Sequence, residues 1–317
     1  MRQVLMSLAV LAMAAGGAVA APVTARVAPE VVGADNYPPV RAAFPGGVTG
    51  LPNLTYSTIQ GYQPLKLDLY LPAAHKALKP LVIYVHGGGW TGGHSRAAGA
   101  FADFPAVLAG LASRGYVVAS LNYRLSGEAR FPAAIDDVRA AIRWLRAHAR
   151  EYGIDSRRVA VWGGSAGGQL AALVATDCQA GDDCVQAAAI WYGVFDFAAL
   201  PQRPARGGGP DAPNAYLGCR IAQCPEVVAA ASPIAHVDAS DPPMLLIWGS
   251  ADRTVPPDQS RAMAARLKAA GVRTQVLEIA DVDHSFIGRT PAATTAASLK
   301  ALQATFDFID STVGRRR

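Results

Sequence analysis

Strand-length runs of apolar residues constrain the fold of this chain more than any other feature of its sequence. The runs are Leu81 to Val85, Tyr116 to Leu121, Val159 to Trp162, Ala187 to Tyr192 and Met244 to Trp248, with a weaker one from Thr274 to Ile279. A continuous apolar run indicates a strand that is covered on both faces, which is typical of a parallel central sheet. The segment from Leu65 to Leu71 alternates apolar and polar residues and predicts a half-exposed strand.

The stretches between these runs predict helices. Apolar residues between Ile135 and Ala149 recur every three or four positions and form one helical stripe. The segment from Asp258 to Ala270 is followed by Gly271, a common helix end, and Thr290-Pro291 is a typical helix start. Strands that alternate with helices in this way predict a single doubly wound α/β domain, which we assign to residues 54–317.

Two segments do not follow this alternation. Residues 21–53 are rich in Pro, Gly and Ala and predict an extended N-terminal arm. Residues 195–231 contain the run Gly207-Gly208-Gly209-Pro210 and two of the four cysteines. We interpret this second segment as a small lid-like insertion over the carboxyl-terminal edge of the sheet.

The first twenty residues are typical of a secretory signal peptide. Arg2 is followed by an apolar run to Ala15, and Ala18-Val19-Ala20 is a small-x-small cleavage site. The alternative is an uncleaved membrane anchor, since the apolar run approaches spanning length. The glycines at 16 and 17 and the small-residue site favour cleavage after Ala20, and therefore a secreted or periplasmic protein.

The four cysteines form two close pairs, Cys178 with Cys184 and Cys219 with Cys224. Four cysteines allow three connectivities, of which local pairing is the simplest. Disulfides form in the oxidising compartments that a signal peptide implies. A zinc site is the alternative, but the spacings do not match the zinc pattern and no histidine is close in sequence. We therefore expect two structural disulfides and no metal.

A glycine-flanked serine predicts the nucleophile. Gly163-Gly164-Ser165-Ala166-Gly167 contains the pattern G-x-S-x-G between a buried strand and a helical segment. A nucleophile on a sharp strand-to-helix turn needs small neighbours, since its own backbone is strained and the two elements crowd it. The alternative is an ordinary glycine-rich turn.

A second glycine-rich segment, His86-Gly87-Gly88-Gly89-Trp90, follows the strand that ends at Val85. Consecutive glycines leave backbone N–H groups free to converge on one oxygen, as an oxyanion hole requires. The same glycines, with Gly92, also fit the dinucleotide fingerprint G-x-G-x-x-G. That alternative needs an acid after the next strand, which instead ends in Leu121-Asn122-Tyr123.

A serine nucleophile needs a base and an acid that orients the base. Asp252 follows the run that ends at Trp248, and His284 follows the last strand. The carboxyl ends of parallel strands carry catalytic groups in open α/β sheets, so we predict Asp252 as the acid and His284 as the base. The remaining histidines are interpreted as solvated, surface or loop residues: His75, His86, His94, His148 and His236.

At these residues the chain resembles an α/β hydrolase of the hormone-sensitive-lipase-like carboxylesterase group, and more narrowly the BD-FAE type of bacterial esterase. The resemblance runs from about Leu54 to Ile309. It also includes Leu67-Asp68-Leu69-Tyr70-Leu71-Pro72, Asn122-Tyr123-Arg124-Leu125, Phe131-Pro132 with Asp136-Asp137, and Pro242-Pro243-Met244-Leu245-Leu246. The insertion after Phe195 departs from the family, because it takes the place of any large lid and leaves the acyl pocket undefined.

The resemblance implies a mostly parallel eight-stranded sheet with helices on both faces. It also implies a Ser165–His284–Asp252 triad in the α/β-hydrolase order, an oxyanion hole from the N–H groups of Gly88, Gly89 and Ala166, and no cofactor. The substrates would be carboxylic esters, including feruloyl and acetyl groups on plant polysaccharides. We add the hypothesis that Trp90, with some of Trp191, Tyr192 and Phe195, lines an aromatic substrate pocket.

Other functions remain to be distinguished from a carboxylesterase. An amidase or peptidase, such as a formamidase-like enzyme, could use the same triad, and a non-catalytic binding protein could use the same scaffold. The net charge of +5 comes from scattered side chains, with one dense run at Arg315-Arg316-Arg317. Nucleic-acid-binding proteins cluster such charge, so we expect neither a nucleic acid nor, in the mature form, a membrane as partner. The oligomeric state is left open.

The exported protein is expected to begin at Ala21, because cleavage follows the small-residue site. Mass spectrometry of the mature chain, recovered from the periplasm or the medium of the host, measures this directly. A mature chain that retains Met1 would contradict cleavage and support the anchor alternative.

Overall fold

A mixed sheet of nine strands runs through the described part of the computed structural model, which comprises residues 40–74, 77–178, 181–201 and 211–314. In chain order the strands are β1 (Ala42–Phe44), β2 (Val48–Ser57), β3 (Leu65–Leu71), β4 (Lys79–Val85), β5 (Val117–Leu121), β6 (Ile154–Gly164), β7 (Ala187–Trp191), β8 (Met244–Gly249) and β9 (Thr274–Ile279). Their spatial order is β1-β2-β3-β5-β4-β6-β7-β8-β9. In this spatial order, every neighbouring pair in the series β5-β4-β6-β7-β8-β9 is parallel. The pairs β1-β2, β2-β3 and β3-β5 are antiparallel.

Helices connect the strands. They are α1 (Phe104–Ser113), α2 (Ala133–Ala147), α3 (Ala149–Tyr152), α4 (Ala166–Thr176), α5 (Ala212–Leu217), α6 (Pro225–Ala231), α7 (Pro257–Ala269) and α8 (Pro291–Ile309). Among the residues that the structure describes, no helix is both long enough and apolar enough to cross a bilayer. The proposed signal peptide, the arm up to residue 39, His75, the run 207–210 and the terminal arginines lie outside the described residues.

The prediction of eight strands is wrong by one. The antiparallel strands β1 and most of β2 fall within residues 42–53, which the sequence assigned to an extended arm. This segment does not show a continuous apolar run because β1 and β2 lie at one side of the sheet, where four of their thirteen residues are exposed and five more are half-buried. Strand β6 also begins at Ile154, five residues before the predicted start.

The central strands are buried on both faces, as their continuous apolar runs predicted. Along β4, Leu81, Ile83 and Val85 pack into one apolar cluster with helices α2 and α4. The intervening Val82 and Tyr84 pack into a second cluster with α1 and α8 on the opposite face. This is a three-layer α/β arrangement, and it leaves the carboxyl ends of the strands as the edge where loops can build a site.

Both cysteine pairs form the local disulfides that the sequence favoured. Cys178–Cys184 follows the carboxyl end of α4, and Cys219–Cys224 lies between α5 and α6. Within the described residues no cysteine is free. The two bridges therefore close short loops at different places in the fold.

An ion pair fixes the loop after β5. The Arg124 guanidinium donates two hydrogen bonds to the buried carboxylate of Asp137, at 2.7 and 2.9 Å, and the Arg124 backbone N–H donates a third at 2.9 Å. Asp137 lies in the first turns of α2, so the pair ties that helix to the carboxyl edge of the sheet. This contact accounts for Arg124 in the Asn122–Leu125 motif and for Asp137 in the Asp136-Asp137 motif.

Replacing Asp137 by Ala is expected to lower the free energy of unfolding by about 3 kcal/mol, because it leaves the Arg124 guanidinium partly buried without its partner. Urea unfolding measures the change. The matched control is Asp136→Ala, at the adjacent and exposed position, which should cost less than about 1 kcal/mol. Equal losses in the two variants would contradict a specific role for the ion pair.

Candidate active site

Ser165 stands on a sharp turn between β6, which ends at Gly164, and α4, which begins at Ala166. Its backbone lies at φ 56° and ψ −122°, a strained conformation for a residue with a side chain. A Cβ atom at Gly163 would lie 2.3 Å from the Gly167 carbonyl oxygen, and one at Gly167 would lie 2.1 Å from that of Val85. Gly163 is therefore needed because α4 passes too close to β6 for a side chain, and Gly167 is needed because α4 packs equally closely on the end of β4.

The structure brings the three predicted triad residues together. Ser165 Oγ lies 2.9 Å from His284 Nε2, and His284 Nδ1 lies 2.8 Å from Asp252 Oδ2. Asp252 is buried, and its other oxygen accepts hydrogen bonds from the backbone N–H groups of Thr254 and Val255, each at 2.9 Å. The carboxylate can thus accept the Nδ1 proton of His284, which leaves Nε2 free to accept the serine proton.

Contacts between the loops after β8 and β9 hold Asp252 and His284 in register. The Ala251 N–H donates to the Val282 carbonyl at 3.1 Å, and the Arg253 N–H donates to Asp283 Oδ1 at 2.8 Å. These hydrogen bonds from Arg253, together with its guanidinium 2.6 Å from Oδ2, lower the pKa of Asp283 to about 2. Asp283 therefore anchors the loop as a carboxylate, while Asp252 faces the histidine.

The loop after β4 supplies N–H groups beside Ser165. Gly88 and Gly89 have φ values of 117° and 61°, and a Cβ at Gly88 would lie 2.2 Å from the Gly92 carbonyl oxygen. Within the described residues, the backbone N–H groups of Gly88, Gly89 and Ala166 donate no hydrogen bond. Gly88 and Gly89 line the same cavity as Ser165. The three donors predicted for the oxyanion hole are therefore available next to the nucleophile.

Trp90 is buried and connects the oxyanion loop to its surroundings. Its Nε1–H donates to Gln169 Oε1 at 3.0 Å, and its ring stacks on Tyr216 with centroids 4.6 Å apart. It also lines a cavity at Ser165. Of the other aromatic residues in the pocket hypothesis, Tyr192 lines a cavity beside His284, whereas Trp191 and Phe195 are core residues.

Two cavities meet at Ser165. One, of about 400 Å³, contains His284, Ser285 and Tyr192 and is otherwise formed largely by glycine and alanine. The other, of about 190 Å³, is apolar and is bounded by Trp90, by loops after β7 and β8, and by the insertion that begins at Phe195. The lid-like insertion of the sequence prediction thus contributes directly to the surroundings of the nucleophile. No group of three or more His, Cys, Asp or Glu side chains in the described residues is arranged to hold a metal ion.

Comparison with known proteins identifies the family. The BD-FAE family model matches residues 67–267. The chain belongs to the BD-FAE family. The predicted resemblance is therefore confirmed, and with it the α/β-hydrolase fold.

Relatives of this BD-FAE chain include esterases of Mycobacterium tuberculosis. Esterase LipQ is 33% identical over 247 residues, which make up 75% of this chain and 56% of LipQ. Esterase LipC is 38% identical over 220 residues, 65% of this chain and 53% of LipC. The chain therefore spans about half the length of these relatives.

Solved structures of similar fold are also esterases. A truncated carbohydrate esterase from gut microbiota is 26% identical and superimposes with a TM-score of 0.70, covering 84% of this chain and 96% of the other. Esterase 2 of Thermogutta terrifontis is 28% identical with a TM-score of 0.67, covering 82% and 91%. Each therefore shares the overall fold of the BD-FAE domain described above.

Sequence reasoning missed Gln169 as part of this BD-FAE site, and it named Tyr192 only among the aromatic residues of the pocket hypothesis, not as a neighbour of His284. Besides accepting from Trp90, Gln169 donates from Nε2 to the Ala231 carbonyl at 2.7 Å, so that it joins α4 to α6. The ring of Tyr192 lies 4.7 Å from that of His284. One glutamine in a buried helix forms no sequence pattern, and Tyr192 continues an apolar strand run, so the sequence carried no signal for Gln169 or for the contact between Tyr192 and His284.

His86 is buried and supports the start of the oxyanion loop. The ring stacks on Tyr123 with centroids 4.3 Å apart, and Nδ1–H donates to the Gly87 carbonyl at 2.7 Å. Burial lowers the pKa of His86 from 6.5 to about 4. The imidazole is therefore neutral at pH 7, and protonating it in the folded protein is unfavourable.

The stability of the domain is expected to contain a pH-dependent contribution from His86. In the unfolded chain this histidine takes up a proton below pH 6.5, whereas in the fold it does so only near pH 4. Stability is therefore lost as the pH falls through this window, by up to about 3 kcal/mol. Urea unfolding between pH 4 and 7 measures it. The control is His86→Asn, which cannot titrate, and identical pH slopes in the two proteins would contradict the prediction.

Proposed function

We propose that this protein is a serine carboxylesterase that acts through an acyl-enzyme intermediate. The hydrogen-bonded chain from Ser165 Oγ through His284 to the buried carboxylate of Asp252 carries the proposal. The esterase names of its mycobacterial relatives and structural neighbours support it. The geometry matches what acyl transfer needs, namely a nucleophile, a base within hydrogen-bond reach and an orienting acid.

In the first half-reaction Ser165 Oγ attacks the ester carbonyl carbon while His284 Nε2 takes the hydroxyl proton. The carbonyl electron pair moves to oxygen, and the N–H groups of Gly88, Gly89 and Ala166 stabilise that oxyanion. Removal of one such donor typically costs about 3–4 kcal/mol of transition-state stabilisation. The ester C–O bond then breaks, and the alcohol oxygen leaves with the proton from His284.

In the second half-reaction water gives its proton to His284 and attacks the acyl-enzyme. The tetrahedral intermediate collapses, the acid leaves, and the proton returns to Ser165 Oγ. Asp252 remains a carboxylate throughout and stabilises the imidazolium that forms twice in each cycle. Every proton in this cycle is held by a group of the chain, the substrate or water.

The two cavities suggest how an ester is oriented. His284 protonates the leaving oxygen, so the alcohol belongs in the larger cavity that contains His284. The acyl group then occupies the smaller apolar cavity, which has room for a short or an aromatic acyl group. We therefore propose acetyl, other short-chain or feruloyl esters, on small molecules or polysaccharides. A structural neighbour is named a carbohydrate esterase, and the Thermogutta enzyme has been solved with propionate and with butyrate.

We further propose that the protein acts outside the cytoplasm, as a secreted or periplasmic enzyme. Its two disulfides support this proposal, because such bonds persist in oxidising compartments. The signal-like sequence of the first twenty residues is consistent with it.

Ser165→Ala is expected to lower kcat/KM for p-nitrophenyl acetate by about 10⁴-fold or more, since the nucleophile is lost. Asp252→Asn should cost about 10⁴-fold, because it favours the wrong imidazole tautomer. Paraoxon, which phosphorylates the Thermogutta esterase, should label the peptide that contains Ser165 in the wild type and leave Ser165→Ala unlabelled. The proposal would be contradicted if Ser165→Ala kept full hydrolysis, or if paraoxon labelled another residue.

Matched substrates separate an esterase from an amidase on the same triad. We expect p-nitrophenyl acetate to be hydrolysed far faster than p-nitroacetanilide, and methyl ferulate and acetylated xylan to report the aromatic and polysaccharide specificities. Equal or faster turnover of the anilide would favour the amidase alternative.

A further inference from the structure

The smaller cavity at Ser165 has one wall that comes from the insertion. Val194 lies in the loop after β7 and Val255 in the loop after β8, and both line the cavity. The insertion supplies Leu200, Pro201, Asp211, Ala212, Pro213 and Ile221. The part of this wall from Asp211 onward lies in a short segment that contains the Cys219–Cys224 disulfide.

Local contacts fix this short segment internally. Asp211 Oδ1 accepts a hydrogen bond from the Asn214 N–H at 3.0 Å and so caps helix α5. The Asn214 side chain in turn accepts from the Ile221 N–H at 2.9 Å. Between them the chain reverses at Gly218, whose φ is 77°. Asn214 therefore holds Ile221 from one side, and the disulfide closes the loop around it from the other.

The segment also rests on the catalytic loops. Tyr216 of α5 stacks on Trp90, and Trp90 is bonded to Gln169 on the nucleophile helix. Helix α5 is therefore docked against the oxyanion loop by aromatic stacking. The turn 219–224 that follows has a different support, because its two ends are joined covalently.

Ile221 is the largest aliphatic side chain that this segment presents to the cavity, where its companions are Ala212 and Pro213. It is buried in the larger apolar cluster of the domain, and it lies between the two cysteines. Its position in the cavity wall thus depends on the bridge that spans it.

We infer that the segment Asp211–Cys224, closed by its disulfide, determines which acyl groups the site accepts, with Ile221 as the residue that limits acyl length. The inference rests on the proposed esterase function and on the assignment of the apolar cavity to the acyl group. A bulky aliphatic side chain in the cavity wall excludes long acyl chains. The disulfide prevents that side chain from moving aside when a longer acyl chain enters.

The other disulfide provides a matched control. Cys178–Cys184 spans six residues and Cys219–Cys224 spans five, so that the two close loops of nearly equal length. The first follows the carboxyl end of α4, about 16 Å along the helix from Ser165. Ion pairs from Arg139 and Arg143 to Asp177 and Asp183 attach it to α2. None of the described residues from 178 to 184 lines either cavity.

The test measures kcat/KM for p-nitrophenyl acetate, butyrate, hexanoate and octanoate, so that only the acyl group varies. In Ile221→Ala the octanoate-to-acetate ratio is expected to rise by about tenfold or more, as for other enlarged apolar pockets. The double variant Cys219→Ser/Cys224→Ser should raise the same ratio. The control Cys178→Ser/Cys184→Ser should keep it within about twofold, although its melting temperature falls.

A second series keeps the acetyl group and varies the alcohol, from p-nitrophenol to ethanol to glucose. Ile221→Ala should leave the order of these acetates unchanged, because the alcohol occupies the other cavity. An unchanged octanoate-to-acetate ratio in Ile221→Ala overturns the inference, even if the double cysteine variant does not fold. A wild-type protein that hydrolyses none of the esters overturns the proposed function instead.

Discussion

The crossing of strand β6 and helix α4 at Ser165 is the constraint on which the rest of the site depends. No side chain fits at Gly163, which the Gly167 backbone approaches, or at Gly167, which packs against the backbone of Val85 and His86 at the end of β4. The crossing forces Ser165 into a conformation that residues with side chains seldom adopt. Its hydroxyl therefore projects beyond both elements at the carboxyl edge of the sheet, whose buried strands hold it in place.

Neighbouring parallel strands supply the other groups. Strand β4 carries the glycine loop on one side of the nucleophile, and β8 and β9 carry the acid and the histidine on the other. Because all of these strands end at one edge, short loops suffice to bring residues together that are far apart in sequence. Hydrogen bonds between the last two loops then fix the histidine relative to its acid. The precision of the site comes from the sheet, and its chemistry comes from loop residues.

Much of this arrangement could be predicted from the sequence, since the relevant features are local. The buried strands appear as apolar runs, and Ser165, Asp252 and His284 each follow such a run. Strands β1 and β2 were missed because their exposed residues interrupt the apolar pattern. The role of Gln169 was missed for a different reason. Its partners, Trp90 and Ala231, lie 79 and 62 residues away, and nothing in the sequence around the glutamine points to them.

The two hydrogen bonds of Gln169 have a consequence for how this domain can diversify. One amide joins the nucleophile helix, the oxyanion loop and the end of the insertion. A replacement insertion with a different backbone path would leave the Gln169 amide without its acceptor carbonyl, and one without an aromatic residue at position 216 would remove the ring that stacks on Trp90. Exchange of the insertion alone would thus disturb the catalytic backbone. The glutamine, the tryptophan and the insertion therefore form one structural unit, and a substitution within the insertion disturbs the site less than exchange of the whole insertion.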